Sequence, residues 1–117
     1  MTLEGPAKKL SAYIGENSLY DGKPLYTALV EAARKAGCAG ATVLRGIEGF
    51  GATSREHGRH ALRMSTDLPV VVVAIDTEDR IVALAELFKA MVGDGLITIE
   101  DASVVQYQGG VSDQPMR

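Results

Sequence analysis

Residues 40–51 read Gly-Ala-Thr-Val-Leu-Arg-Gly-Ile-Glu-Gly-Phe-Gly, a short apolar strand that runs directly into closely spaced glycines. A second glycine turn, Gly93-Asp94-Gly95, joins a helical pattern to another apolar strand. Glycine adopts backbone conformations that a Cβ would forbid, so such turns bring bare N–H groups close to a ligand. Successive N–H groups of this kind form anion-binding concavities. We therefore expect a small anionic ligand, such as a nucleotide, at the two turns, and binding rather than catalysis.

The half of the chain that ends in this stretch has the order strand, helix, strand. Apolar and polar residues alternate from Lys8 to Ile14, which predicts a strand. A loop over 15–23 follows, and Pro24 suits the first position of a helix because it has no N–H to leave unpaired. Apolar residues then recur at helical spacing as far as Gly37, a typical helix stop, and the strand at 40–48 completes the unit.

The second half repeats this order. A strand is predicted over 68–75, and Thr77 or Asp76 caps a helix that ends at Gly93. The apolar stripe of this helix consists of Ile81, Leu84, Ala85, Phe88, Met91 and Val92. One or two final strand segments are expected over 96–99 and 102–107, with Glu100-Asp101 as a turn or bulge. Two successive β-α-β units predict an α+β, ferredoxin-like fold, in which two helices cover one face of an antiparallel sheet.

Length and composition limit the class of protein. The 117 residues predict one domain, with a core over 8–107 and a polar tail over 108–117. The net charge of -3 gives no electrostatic case for nucleic acid. The longest apolar run, 68–75, is too short to cross a bilayer, and the polar start of the chain does not resemble a secretory signal. The single cysteine, Cys38, fits a packing role and a reduced, cytoplasmic setting.

The strand from Val70 to Ile75 consists of six consecutive apolar residues. A sheet with helices on one face normally alternates apolar and polar residues along each strand. One interpretation is a chance run of good strand formers. The other is that further copies of the chain cover the open face, because six apolar residues without alternation would otherwise leave an aggregation-prone patch. We expect the second, in a closed oligomer with C3 symmetry.

Five segments of the chain carry a family pattern. They are 13–16, 24–26, 40–51, 67–70 and 93–101. In combination and in this order they resemble the PII-like signalling proteins, specifically the subfamily called domain of unknown function 190. The resemblance implies a homotrimer that binds a small effector, an adenine nucleotide or a related anion, between subunits. It also implies a regulatory protein rather than an enzyme, acting on a target such as a transporter or an enzyme.

The resemblance also suggests where the effector would bind. The ligand-binding residues that we carry over or infer are Thr42, Arg45, Gly49, Phe50, Gly51, Gly93, Asp94 and Gly95. The chain departs from the PII pattern at Leu96, where those proteins carry a lysine, and at Gln106 and Gln108, where they carry arginines. Charge-assisted contacts are the strong ones, so we expect a ligand less charged than a triphosphate.

The loop over 52–66 is the predicted partner surface. Its arginines and histidines are Arg55, His57, Arg59, His60 and Arg63, opposed only by Glu56. The arginines are spaced so that a helical turn would align them, which suggests an anion-dependent surface that a target protein contacts. A solvated, mobile loop is the simpler alternative. Two others are a divalent-cation-binding trimer using His57 and His60, and a small enzyme using Glu16 and these histidines as acid and base. We assign no catalytic residues, metal or cofactor.

Overall fold

The computed structural model describes residues 2–52 and 67–109. Their strands are β1 (Gly5–Gly15), β2 (Leu19–Tyr20), β3 (Lys23–Pro24), β4 (Ala41–Arg45), β5 (Pro69–Asp76) and β6 (Leu96–Val104). The helices among them are α1 (Leu25–Lys35) and α2 (Glu78–Met91). No helix in this part of the chain is long and apolar enough to cross a bilayer.

Four strands form one antiparallel sheet in the order β4-β5-β1-β6. Both helices pack on one of its faces, which confirms the α+β ferredoxin-like prediction. The strands supply alternate residues to this helix-covered face, such as Leu10, Ala12 and Ile14 on β1, and these are buried. From α2, four members of the predicted stripe are buried with them, namely Ile81, Leu84, Ala85 and Phe88. The core therefore lies between the sheet and the helices.

The other face of the sheet, called the open face below, has no described helix on it. Strand β5 alternates: Val70, Val72 and Ala74 are buried, whereas Val71 and Val73 are half-buried. The single chain thus keeps only one side of this strand fully dry. Its uninterrupted apolar sequence leaves a surface on the second side, and coverage of that surface by another copy stays a prediction.

Two predicted features of the chain are wrong in detail. The loop expected before α1 contains a small hairpin, β2 and β3, turned through Asp21 and Gly22, which have φ of 53° and 84°. The turn or bulge expected at Glu100-Asp101 is absent, because β6 runs through these residues as one strand with continuous pairing to β1. Both carboxylates lie opposite lysines of β1, and Asp101 forms an ion pair with Lys8. Cross-strand charge pairing therefore allows two acidic residues within a strand.

The helix boundaries agree with the sequence except at Pro24, which was expected to be the first helical residue but lies in β3, directly before α1. Thr77 is the N-cap of α2 and its side chain accepts a hydrogen bond from the backbone N–H of Arg80. Asp76, the alternative cap, has another role: its buried carboxylate accepts hydrogen bonds from Ala39 N at 2.7 Å and Thr77 N at 2.6 Å. It ties the loop after α1 to the start of α2. Gly37 lies just beyond α1 with φ of 81°, as expected of a glycine helix stop.

The terminal segments extend the paired structure beyond the predicted core. Thr2 bridges Gln108, and Leu3 N donates to Tyr107 O at 3.1 Å. The Tyr107 hydroxyl donates in turn to Ala39 O at 3.0 Å. These contacts, with those of Asp76, close the end of the sheet where β5 finishes. Residues 110–117, most of the predicted polar tail, lie outside the described part of the chain.

Candidate functional site

A cavity of about 230 Å³ lies at the end of the sheet where β5 begins. We call it the glycine-turn cavity. The described residues that line it are Tyr13, Ile14, Phe50, Gly51, Ala52, Asp67, Pro69, Gly95 and Leu96. It thus brings together Gly51 of the first glycine turn and Gly95 of the second. The two turns therefore meet within one chain.

The glycines at this end of the sheet have different structural roles. A Cβ on Gly95 would lie 2.7 Å from the Tyr13 carbonyl oxygen, and one on Gly46 would lie 2.8 Å from Pro69 Cγ. These two glycines allow neighbouring strands to approach, which is a packing role. A Cβ on Gly51 or Gly93 would meet nothing within 4 Å. Packing within the described chain therefore does not require glycine at either position, which makes Gly51, on the cavity wall, the better candidate for ligand contact.

The cavity walls are aromatic and aliphatic with one acid. Tyr13 is 43% exposed, Leu96 57% and Phe50 73%, high values for large apolar side chains next to one another. Among the described lining residues Asp67 is the only one that carries a charge. Its Oδ1 accepts a hydrogen bond from Asn17 N at 2.9 Å. These walls suit a flat, largely apolar group better than a phosphate.

Arg45, the cation expected to serve the ligand, is paired with Glu16 in an ion pair. Arg45 stands opposite Val70, on the helix-covered side of the sheet, and does not line the glycine-turn cavity. Glu16 is anchored by its own backbone N–H, which donates to Leu68 O at 2.7 Å. An anion that recruits Arg45 would have to compete with this carboxylate. Glu16, considered above as a catalytic acid, is therefore the counter-ion of Arg45.

The remaining predicted residues lie around the cavity or away from it. Gly93 and Asp94 are exposed in the second turn without lining it, and Gly49, with φ of 154°, approaches Pro69. Thr42 is the outlier, since it lies on the open face of β4. The predicted partner-surface residues Arg55, His57, Arg59, His60 and Arg63 lie outside the described residues. Within the described ranges, no group of three or more potential metal ligands occurs.

Thr42 lines a second cavity, of about 390 Å³, near the start of β4, which we call the terminal cavity. Its other walls include Val73, Ile75 and Tyr107. It shares no lining residue with the glycine-turn cavity. The structure therefore separates Thr42 from the glycine turns, with which the sequence grouped it.

Cys38 packs against the core, as expected of a structural cysteine. Burial, followed by the negative charge of Asp76, raises the pKa of its thiol above the ordinary value, although Arg80 acts in the opposite direction. The thiol form therefore dominates at neutral pH, and a nucleophilic role is not favoured.

Sequence reasoning missed Tyr13 and Asp67 as residues of the site. Tyr13 belongs to the alternating strand pattern of 8–14 and received no binding role, yet it lines the cavity and is partly exposed. Asp67 belonged to a segment that carried the family pattern but received no role. The available signal was position: Asp67 lies two residues before Pro69, where β5 begins, and Tyr13 lies one residue before the end of the alternating strand pattern.

Comparisons with known proteins agree with the fold. The family model for DUF190, described as an uncharacterized ACR family, matches residues 7–104. A UPF0166 protein of Aquifex aeolicus is 39% identical over 98 residues, covering 84% of this chain and 92% of that protein. A UPF0166 protein of Methanocaldococcus jannaschii is 33% identical over 104 residues, covering 88% and 94%.

Among solved structures, the fold is similar to that of CPII from Thiomonas intermedia K12. That protein is a nitrogen regulatory PII-like protein, and its structure contains bound ADP, AMP and bicarbonate. The TM-score is 0.57 at 21% identity, over 89% of this chain and 91% of CPII. At this identity the likeness concerns the fold, which is PII-like, and on the strength of the family match the chain is a member of the DUF190 family.

Proposed function

We propose that this protein is a PII-like signalling protein that binds an adenine nucleotide at the glycine-turn cavity and regulates a target protein through the 52–66 segment. It acts as a homotrimer in the cytoplasm and has no catalytic activity of its own. The observation that carries the proposal is the composition of the cavity wall. Ala52 and Asp67, which flank the undescribed residues 53–66, both line it together with the two glycine turns.

This arrangement gives a ligand a direct route to the regulatory segment. A molecule in the cavity contacts both attachment points of the segment, so its binding energy can favour one conformation of the residues between them. The bound ADP and AMP of CPII support an adenine nucleotide as the class of effector. In the trimer, a neighbouring copy would complete the open side of the cavity.

The trimer is supported by the open face of the sheet. One row across it consists of Leu44, Val71, Tyr13 and Leu96 in register. Leu44 is 55% exposed, and Tyr13 and Leu96 are similarly uncovered. A contiguous apolar row of this kind is typical of an interface. Light scattering at micromolar concentration should therefore give the mass of a trimer, and a monodisperse monomer would contradict the assembly.

The charge distribution predicts which nucleotide binds. With Leu96 in the place of the PII lysine and Arg45 paired with Glu16, a triphosphate finds few cations among the described residues. ATP should therefore bind no more tightly than AMP. Its additional phosphates would lack hydrogen bonds to charged groups, each of which is worth about 1.5–3 kcal/mol. Titration calorimetry tests this, and a preference for ATP of more than about tenfold would mean that cations outside the described residues take over.

The site itself is tested with glycine variants. Gly51→Val places a branched side chain on the cavity wall at a position where a Cβ meets no described atom within 4 Å, and it should abolish AMP binding while the oligomer persists. Gly40→Val is the matched control, because that glycine is equally unobstructed and lies at the terminal cavity. Hydrogen exchange over 52–66 should change with AMP in the wild type and in Gly40→Val only. AMP binding that survives Gly51→Val would place the ligand elsewhere.

A further inference from the structure

We infer that Asp67 is the residue that selects the nucleobase, by accepting a hydrogen bond from an amino group on a purine ring held in the glycine-turn cavity. The inference rests on the proposed function, since it concerns the same site. It adds a specificity-determining residue and a chemical class: rings that present a donor, such as 6-aminopurines, over rings that present an acceptor, such as 6-oxopurines.

The size of the cavity indicates that it holds part of a ligand. Pockets for whole drug-sized ligands have volumes of about 300–1,000 Å³, and this cavity has about 230 Å³. A nucleotide is too large to enter completely, whereas its ring system is a compact fragment. The sugar and phosphates would then remain at the mouth, where the structure describes no cationic lining residue.

The walls favour the ring as the buried part. Tyr13 and Phe50 supply aromatic surface, and Leu96 and Pro69 supply aliphatic surface. Aromatic side chains stack on any nucleobase because every base has a π-face, and this contact is tolerant of base identity. Stacking therefore explains affinity for a purine but does not distinguish one purine from another.

Asp67 provides the discrimination that stacking lacks. An ionised carboxylate only accepts hydrogen bonds, and its two oxygens offer about four acceptor positions. Oδ1 accepts the Asn17 N–H at 2.9 Å, which orients the carboxylate at the cavity wall. A ring amino group can donate a further hydrogen bond to this carboxylate. A ring carbonyl at the same place would put its own acceptor oxygen next to the acceptor oxygens of Asp67. A site built around a hydrogen bond penalises the analogue that cannot form it.

The test uses AMP and IMP, which differ in the 6-amino and 6-oxo groups of the ring. By titration calorimetry the wild-type protein should prefer AMP by about tenfold or more, the equivalent of one lost charged hydrogen bond. Asp67→Asn keeps an oxygen to accept from Asn17 N and adds a donor for the 6-oxo group. It should therefore bring the two affinities to within about threefold of each other.

Two controls separate the possible outcomes. Asp21→Asn removes an equal charge from the exposed turn between β2 and β3, off the cavity wall, and should retain the wild-type preference. Purine riboside monophosphate, which lacks the 6-substituent, should bind the wild type less tightly than AMP, which tests the inference without any variant. An unchanged AMP-to-IMP ratio in Asp67→Asn, or equal binding of AMP and the unsubstituted analogue, overturns the inference alone. Failure of every nucleotide to bind the wild type overturns the proposed function with it.

Discussion

The two ends of the sheet differ in whether their side chains are hydrogen-bonded and buried or left exposed. Where β5 finishes, the Asp76 carboxylate is fully buried and the Tyr107 hydroxyl reaches across to Ala39 O. Where β5 begins, Phe50 and Leu96 are largely exposed beside a cavity. The first end uses its polar groups to connect elements of the fold. The second leaves apolar surface uncovered, which costs free energy in the isolated chain unless a ligand or another copy covers it. This contrast is the reason that we place the proposed binding site at the second end.

The largest effect on stability is expected at the end of the sheet where β5 finishes, called the closed end below. Asp76→Ala removes the acceptor of two backbone N–H groups and the partner of Arg80, whose Nη1 lies 3.7 Å from Asp76 Oδ2. Buried donors left without a partner are costly, so the free energy of unfolding should fall by about 3 kcal/mol. Loss of the Asp76 charge should also lower the pKa of the Cys38 thiol, because that charge helps to raise it.

The matched variant is Asp94→Ala, at the opposite end of the sheet, where β5 begins. Asp94 is exposed in the second glycine turn, and a surface substitution of this kind changes stability by no more than about 0.5 kcal/mol. Urea denaturation of both variants measures the difference. Equal losses in the two would mean that the buried carboxylate does not hold the closed end together.

The second prediction separates the glycines by role. A Cβ on Gly95 would lie 2.7 Å from Tyr13 O and 2.9 Å from Val92 Cγ1. A backbone oxygen cannot move aside without shifting β1, so Gly95→Ala should cost about 1–3 kcal/mol of stability. Gly51→Ala has open space around it and should cost less than about 0.5 kcal/mol. Thermal unfolding of the pair decides: similar losses would contradict the distinction between a packing glycine and a ligand-facing one.

Much of the fold could be predicted because it follows from local patterns. Helical spacing identified the buried face of α2, Thr77 identified its start, and the two β-α-β units predicted the antiparallel sheet. The errors arose where long-range contacts override local preference. Glu100 and Asp101 favour a turn by composition, but Lys9 and Lys8 lie opposite them in the sheet. No local pattern contains that information.

The candidate site could be predicted less completely for the same reason. Gly51 and Gly95, which the sequence grouped, line one cavity, because Gly51 follows β4 and Gly95 precedes β6 at the same edge of the sheet. Which glycines are required by packing depends on atoms from β1 and Pro69, distant in sequence. Arg45 looked available because its partner, Glu16, is 29 positions away and belongs to another strand end.

A smaller effect is expected between the two ends, at Ser11 on the open face. This side chain is 1% exposed, and its Oγ has no hydrogen-bond partner within the described chain. Ser11→Ala removes a buried polar group that contributes no bond, so stability should rise by up to about 1 kcal/mol. Denaturation of the wild type and the variant at one protein concentration tests this. A loss of stability instead would show that the hydroxyl has a partner, for example in a neighbouring copy that covers the open face.

The smallest effect concerns the Lys8–Asp101 ion pair, which crosses from β1 to β6 near the closed end. The hydrogen bond between the two side chains, followed by their Coulomb attraction, lowers the pKa of Asp101 and raises that of Lys8. A carboxyl whose pKa is lower in the folded state stabilises the fold above its unfolded pKa, near 3.8, and loses this contribution as pH falls through the folded value. A lysine whose pKa is raised stabilises below its unfolded pKa, near 10.5, and loses it as pH rises through the folded value. The pair should therefore stabilise the protein most between these limits.

Asp101 is exposed and Lys8 is partly exposed, so solvent and salt reduce what this pair contributes. A double-mutant cycle of Lys8→Met and Asp101→Asn, measured by urea denaturation, should give a small favourable coupling at pH 7 that decreases at pH 3 and in high salt. The neighbouring Lys9 and Glu100 provide the comparison, because their charged atoms lie 3.9 Å apart and no hydrogen bond between them accompanies the ion pair. Their coupling at pH 7 should be weaker still. Coupling that is independent of pH in the first pair, or stronger in the second, would mean that packing of the side-chain stems, and not charge, joins β6 to β1 at this end.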